Sequence, residues 1–307
     1  MTTPALVVIA ARAGSTSLSD GPLAEVAGMA MLELQLRRLL PITTRSEAQL
    51  VVATSDLIAD EPIADLAGRL GVAVVRGSET DVLGRFAIAL VRHPAEVVAH
   101  VGANSPLADP FVIGAAIDLH RRVGADYTSN TLPRSYPLGL DVEVLSARSL
   151  RIAELEAEDP HDREQVTSYI VRRPGRFSLA NLHSGHDLAR ERWAVDTPQD
   201  LARIREIVGQ VPDPLTASWN RILAVTGRAS KPRPGEVVLR PLDTTPAGAA
   251  PWVREWSVEV DGQALGTATV AAGDGVFERQ VDVADRWVEP AREALYRLLL
   301  DDPQTRP

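Results

Sequence analysis

The sequence predicts an α/β protein: a doubly wound, mostly parallel sheet followed by a small C-terminal α+β domain. Three observations carry this expectation. Short apolar runs alternate with amphipathic stretches from residue 5 to about 130, the rhythm of right-handed crossovers onto a sheet covered on both faces. The first run, Ala5-Leu6-Val7-Val8-Ile9-Ala10, is apolar throughout and rich in Val and Ile, as strands buried on both faces are. A stretch with Ser, Lys, Pro and Gly at 228–235 then marks a linker, which divides the chain into 1–227 and 236–307.

Each element follows in turn. Gln49 to Thr54 reads as a second buried strand, and Pro62 to Leu70 as a helix stopped by Gly71. Val72 to Val75 is a third strand, Asp81 to Val91 a helix, Ala95 to Val101 a fourth strand, and Pro110 to Val123 a helix with Pro in its first turn. After residue 125 the rhythm changes. Ala125 to Ser129 and Leu140 to Leu145 read as strands, the second alternating so that Asp141 and Glu143 share a face. Helices are expected over Ala147 to Glu158 and Asp162 to Arg172. Thr197 caps another, with Pro198 at its first position, running to about Val208. A last helix of this part spans about Pro214 to Val225. Beyond the linker, Trp256 to Val260 and Gln263 to Val270 flank Asp261-Gly262, a hairpin signal. Val276 to Val283 offers a strand, and Asp285 to Leu300 an amphipathic helix.

The totals exclude several function classes. A formal charge of −9 argues against nucleic acid or an anionic membrane as partner, while leaving room for a local basic pocket. With no cysteine there is neither disulfide nor thiolate chemistry. No apolar run approaches about 18 residues and no leader pattern opens the chain, so a cytoplasmic location is expected. The basic residues are almost all arginine, Lys231 being the single lysine.

Chemistry is concentrated at the end of the first strand. Arg12, Gly14, Ser15 and Thr16 place a guanidinium and a turn of small residues at a strand's carboxyl end, where open α/β sheets bind ligands. Guanidinium and backbone donors together suit phosphate oxygens; an ordinary turn with a solvated Arg is the alternative.

Further segments join the first in a fixed order: Val75-Arg76-Gly77-Ser78-Glu79-Thr80-Asp81-Val82-Leu83-Gly84-Arg85-Phe86, Asn104-Ser105-Pro106, Ala125-Asp126-Tyr127-Thr128-Ser129-Asn130, Tyr136 through Val144, Asp162-Arg163-Glu164-Gln165 and Arg192-Trp193-Ala194-Val195-Asp196-Thr197-Pro198. In that order and spacing they resemble the spore-coat polysaccharide cytidylyltransferases, relatives of the CMP-sugar-acid synthetases. The resemblance covers residues 5 to about 208 and implies a Rossmann-like nucleotidyltransferase fold. It also implies that an acceptor oxygen on a small, sugar-like molecule attacks the α-phosphorus of CTP or another nucleoside triphosphate, with pyrophosphate leaving. By that resemblance Arg12, Gly14, Ser15, Thr16, Arg76, Ser78 and Asn104 hold the nucleotide. Asp196, with Asn104, holds Mg2+, and Arg12 and Asp196 are catalytic. Asn130, Tyr136, Asp141, Glu143 and Glu164 face the acceptor. A homodimer, with residues about 130 to 190 crossing between subunits, belongs to the same expectation.

The chain departs from the family pattern at three places. The family loop runs Arg-x-Gly-Ser-Thr-Arg-Leu-Pro-Gly-Lys, and here the second Arg is Ser17 and the Lys is Gly21. Asn104 stands where the family has an Asp. A second reading is therefore open, in which the fold is kept as a binding or scaffolding module; a glycosyltransferase ranks last, since no Asp-x-Asp pair is present. Simpler roles are also open residue by residue. Arg76 and Arg85 pair with Glu79 and Asp81 on the surface, Asp141 and Glu143 are solvated, and Asp196 only helps a helix start. His183 and His186 lie in a flexible loop, and Trp252, Trp256 and Trp287 form the small domain's core.

Overall fold

A computed structural model describes residues 4–14, 18, 20–45, 48–184 and 187–226, and the strand segments 237–241, 253–260, 263–273 and 276–282. The chain divides into two compact units, Met1–Gly227 and Arg228–Pro307.

In the first unit the elements run β1 (Ala5–Ala10), β2 (Glu25–Val26), β3 (Met29–Ala30), α1 (Met31–Leu39), α2 (Ile42–Arg45), β4 (Ala48–Ser55), α3 (Glu61–Arg69), β5 (Ala73–Gly77), α4 (Val82–Arg92), β6 (Val97–Gly102), α5 (Pro110–Val123), β7 (Tyr127–Ser129), β8 (Glu143–Ser146), α6 (Ala147–Glu156), α7 (Pro160–Glu164), α8 (Ser168–Val171), β9 (Leu179–Asn181), α9 (Pro198–Gln210) and α10 (Trp219–Val225). The main sheet has the order β5-β4-β1-β6-β8-β7-β9. β1 pairs in parallel with both β4 and β6, and β4 with β5. β8 enters antiparallel between β6 and β7. The chain thus bears out a doubly wound, mostly parallel α/β sheet, with a change of rhythm after residue 125.

The period-2 alternation of β1 divides its side chains between two cores. Val7 and Ile9 pack with Leu32 and Leu36 of α1, Ile113 and Ile117 of α5 and Ile204 of α9. Leu6 and Val8 pack on the other face with Leu83 and Phe86 of α4, Leu150 of α6 and Ile170 of α8. Each such buried side chain contributes about 1.5–3 kcal/mol, which is why the sheet's centre is fixed and its carboxyl edge is free to carry chemistry. The helix ends follow from local chemistry. Asp81 accepts from the Gly84 N–H to cap α4, Asp109 caps α5 with Pro110 in its first turn, and Gly124 closes α5 at φ 63°. Thr197 and Asp200 form a reciprocal capping box on α9.

α1, α2, β2, β3 and β9 fall where the sequence reading places no element, and three of the expected elements have different bounds. Leu140 to Val142 is not strand: the Asn130 carboxamide donates to the Leu140 carbonyl and accepts from the Val142 N–H, so a side chain replaces the ladder until Glu143. The helix expected over 162–172 is broken into α7 and α8, because Gln165 turns extended at φ −98°, ψ 91°. α10 begins only at Trp219. Its N–H donates to the buried Asp109 carboxylate, and the Pro214 carbonyl upstream accepts from Arg38.

In the second unit four strands, β10 (Val237–Pro241), β11 (Val253–Val260), β12 (Gln263–Gly273) and β13 (Val276–Asp282), form an antiparallel sheet in that order. β11 and β12 pair from Val260 and Gln263 outward, the register expected of a two-residue connection. The Asp261-Gly262 turn, the 228–235 linker, the helix expected over 285–300, Trp252 and Trp287 lie outside the described residues. No described helix is long and apolar enough to cross a membrane.

Candidate active site

The carboxyl ends of β1 and β6 are neighbours, Ala10 standing opposite Gly102 in the ladder. The chain therefore delivers Arg12 and Asn104, each two residues past its strand, to one edge of the sheet. The Ala103 N–H still donates to the Ala10 carbonyl at 3.2 Å, so the two loops leave together.

The first loop is held by a residue that sequence reasoning passed over. Asp60, 2% exposed, accepts from the Ala13 N–H at 2.6 Å and from the Ser55 N–H at 3.1 Å. Burial alone would raise its pKa, but these bonds and the Ser55 hydroxyl hold the carboxyl below its ordinary value. Gly14 follows at φ 75°. Ser15 and Thr16 lie outside the described residues. Gly21 has φ 48°, and a Cβ there would rest 3.7 Å from the Gly14 nitrogen. A lysine at position 21 would adopt a backbone that L-residues disfavour by roughly 1–2 kcal/mol, so this departure is conformational as well as electrostatic.

Arg12 reaches Glu79 at 3.1 Å and Glu164 at 3.4 Å. The structure thus brings together a nucleotide-side and an acceptor-side candidate more than 150 positions apart. Both carboxylates are about half exposed, and exposed pairs are worth only about 0–1 kcal/mol, so a phosphate can displace them. Around them, Arg163 spans to Asp81 at 2.9 Å, joining α7 to the cap of α4.

Asp196 sits directly before α9. Its carboxylate accepts from the Asn104 amide at 2.8 Å and from Arg192 at 2.7 Å, while the Val195 N–H donates to the Asn104 carbonyl. Arg192 also grips Asp200 at 2.6 Å, and that contact, with the Thr197 hydroxyl and two backbone donors, holds the Asp200 carboxyl far below its ordinary value. Gly102 makes room for this arrangement, since a Cβ there would meet Asn104 Oδ1 at 2.7 Å. No group of three or more His, Asp or Glu among the described residues could hold a metal. One carboxylate with a carboxamide beside it nonetheless fits a hard divalent cation whose remaining ligands are water and substrate phosphate.

The other expected site residues have different surroundings. Arg76 does not pair with Glu79 or Asp81; it donates to the Ser55 and Leu57 carbonyls and to Glu61, tying the β4–α3 connection to β5. Ser78 accepts from the Asp81 N–H. Asn130 is fully buried with both amide atoms used by backbone, and Tyr136, 3% exposed, packs edge-on against Trp219, so neither presents surface to an acceptor. Asp141 is held by both terminal nitrogens of Arg134. Glu143 is partly buried, its side chain 24% exposed. It accepts from Tyr127 and Thr167, each at 2.7 Å, and lies 3.1 Å from His100. Burial opposes its charge, yet those bonds keep its pKa below normal, and burial with the neighbouring carboxylate pushes the Tyr127 hydroxyl strongly upward. Arg85, expected at the surface with Glu79 or Asp81, is instead 2% exposed and makes neither pair. Its place on the apolar stripe of α4, three residues after Val82 and four before Ala89, was the available signal. His183 is exposed and His186 lies outside the described residues.

A family model described as Cytidylyltransferase matches residues 6–217, most of the first unit, from β1 to the approach of α10. The chain belongs to the cytidylyltransferase family. Among its relatives is an uncharacterized protein of Methanocaldococcus jannaschii, 32% identical over 202 residues that cover 65% of this chain and 81% of that one. The spore coat polysaccharide biosynthesis protein SpsF of Bacillus subtilis is 29% identical over 216 residues, covering 68% and 89%. A cytidylyltransferase structure from Leptospira borgpetersenii aligns at a TM-score of 0.69 and 21% identity, over 74% of this chain and 94% of that one. A CMP:2-keto-3-deoxy-manno-octonic acid synthetase structure, complexed with CTP, aligns at 0.51 and 16%, over 68% and 99%. The two likenesses show the fold. As a cytidylyltransferase the chain is an enzyme of group transfer, and its strand-end loops lie where this sheet type binds ligands.

Proposed function

We propose that this cytidylyltransferase transfers CMP from CTP to a small sugar or sugar acid, releasing pyrophosphate. The observation that carries the reading is the delivery of Arg12 and Asn104 by adjacent strands β1 and β6 to one edge of the sheet, where Asp196, just before α9, accepts from the Asn104 amide. In the reaction an acceptor oxygen forms a bond to the α-phosphorus while the bond from that phosphorus to the bridging oxygen of pyrophosphate breaks. Such a step needs positioned reactants and cations on developing negative charge more than it needs covalent help. Arg12 exchanges Glu79 and Glu164 for phosphate oxygens, which frees Glu164 to meet an acceptor hydroxyl. Asp196, with Asn104, is the place for a divalent cation, Mg2+ by preference, brought in with the triphosphate; when bound it would neutralise phosphate charge. The spore coat polysaccharide biosynthesis for which the relative SpsF is named supports a sugar-type acceptor. A homodimer, and the accessory character of residues 236–307, belong to this reading.

One observation favours the second reading, a binding module. Both Asp196 oxygens already accept from protein donors, the Asn104 amide and the Arg192 guanidinium. Pyrophosphate release from CTP across a panel of sugar acids separates the two. The proposal expects metal-dependent turnover abolished by Asp196→Ala; absence of turnover together with metal-independent CTP binding would support the binding module instead.

A further inference from the structure

Arg85 is a buried cation, with charge neighbours at this site, that the proposed chemistry has not used. It lies in the first turn of α4, 2% exposed, and its Nε and Nη1 have no hydrogen-bond partner among the described residues. The chain shows elsewhere how it buries an arginine for structural ends. Arg38 is equally enclosed, yet donates to the carbonyls of Ala108, Leu107 and Pro214 and lies 3.9 Å from Asp109. Arg85 has no such cradle. Its charge neighbours are Arg12, Asp60, Asp81 and Glu79, and the first is a second cation. The carboxylates are already engaged: Asp60 with Ala13 and Ser55, Asp81 with Arg163 and Gly84, Glu79 with Arg12. Burial first, and then Arg12, pull the Arg85 pKa below its ordinary value, although a guanidinium stays charged at neutral pH.

The backbone beside it is also cleared. Gly77, at the end of β5, has no side chain, and a Cβ there would stand 3.1 Å from Arg85 Cγ and 3.2 Å from Ile88 Cδ1. An enclosed guanidinium with unmade hydrogen bonds, within electrostatic reach of a second guanidinium, is an unfavourable arrangement for the empty protein and a favourable one for a polyanion.

We infer that Arg85 is a second guanidinium of the polyphosphate subsite, donating Nε and Nη1 to oxygens of the bound nucleotide's phosphates beside Arg12. The inference rests on the reading of Arg12 as a phosphate ligand.

Arg85→Met tests it with the full chain, titrated calorimetrically with CTP, with inorganic pyrophosphate and with cytidine, alongside thermal melting of the free protein. Removing an enclosed, unpaired cation should leave the free protein at least as thermostable as wild type. CTP and pyrophosphate should each bind roughly 10- to 100-fold more weakly, as loss of hydrogen bonds to a charged group implies, while cytidine binding is unchanged. Arg85→Lys should fall between the two. Wild-type affinity for CTP and pyrophosphate in a folded Arg85→Met protein would overturn the inference. So would a parallel loss of cytidine affinity, which would mark a general distortion. If wild type itself binds neither CTP nor pyrophosphate, the nucleotide reading fails first, and this inference with it.

Discussion

Changing Asn104 to Asp gives a perturbation whose size can be worked from the site. In the wild type the Asn104 amide donates to Asp196 at 2.8 Å, and Arg192 covers the other oxygen at 2.7 Å. Asn104→Asp removes a hydrogen bond to a charged group, about 1.5–3 kcal/mol, and sets two carboxylates side by side. Two unit charges 4 Å apart repel by about 4 kcal/mol at an effective dielectric of 20. Asp196 is 44% exposed and Arg192 lies against it, so most of that repulsion is screened. The net loss is expected at about 2–3 kcal/mol near neutral pH without metal. For a unit of this size that is a fall in melting temperature of roughly 4–12 °C. A divalent cation between the carboxylates reverses the sign of their interaction, so millimolar magnesium should restore most of the loss in the variant. It should do little for nucleotide-free wild type, which has one carboxylate there. Thermal melting of both proteins with and without magnesium is the assay. An equal loss with and without magnesium would refute the placement of a cation at this pair.

Two further outcomes concern the scaffold. Gly139 has φ 106°, and a Cβ there would stand 2.5 Å from the Ala194 nitrogen and the Trp193 carbonyl carbon, atoms of the segment leading to Asp196. Gly139→Ala should therefore cost more than about 3 kcal/mol in a urea titration, and a near-neutral result would contradict the close approach. His120 is buried beside the Thr128 hydroxyl, and burial pushes its pKa down to about 4. Its folded pKa lies below the unfolded value of about 6.5, so the unfolded chain binds the extra proton first. Stability is then full above about pH 6.5 and is lost as pH falls towards 4, by up to about 3 kcal/mol. His120→Gln should flatten that part of the profile, and unchanged pH dependence would show that other groups carry it.

The backbone plan was legible because it rests on local signals. β1, β4 and β6 announce themselves as apolar runs, and α5 and α9 by a Pro at the first position with an Asp or Thr before it. Arg12, Asn104 and Asp196 were legible through spacing and family pattern, and the structure puts the latter two in contact. What escaped depends on distant partners. Asp60 holds the first loop from 47 positions away, and no local pattern at Asp60 points to Ala13. Glu143 read as one of two carboxylates on a strand face, but its donors Tyr127, Thr167 and His100 come from three other segments. Leu140 and Val142 kept strand-like alternation while Asn130, ten positions earlier, took over their backbone bonds. Arg85 could have been found, since a charged residue on an apolar helical stripe is either paired or waiting for a ligand.

The central claim is a triphosphate site shared by Arg12 and Asp196. Calorimetric titration of CTP, GTP, UTP and ATP, with and without magnesium, tests it most directly. The account predicts preferential CTP binding that strengthens with the metal and weakens on Arg12→Ala. Failure of a folded protein to bind any of the four, or equal affinity for all four with no metal dependence, would contradict it.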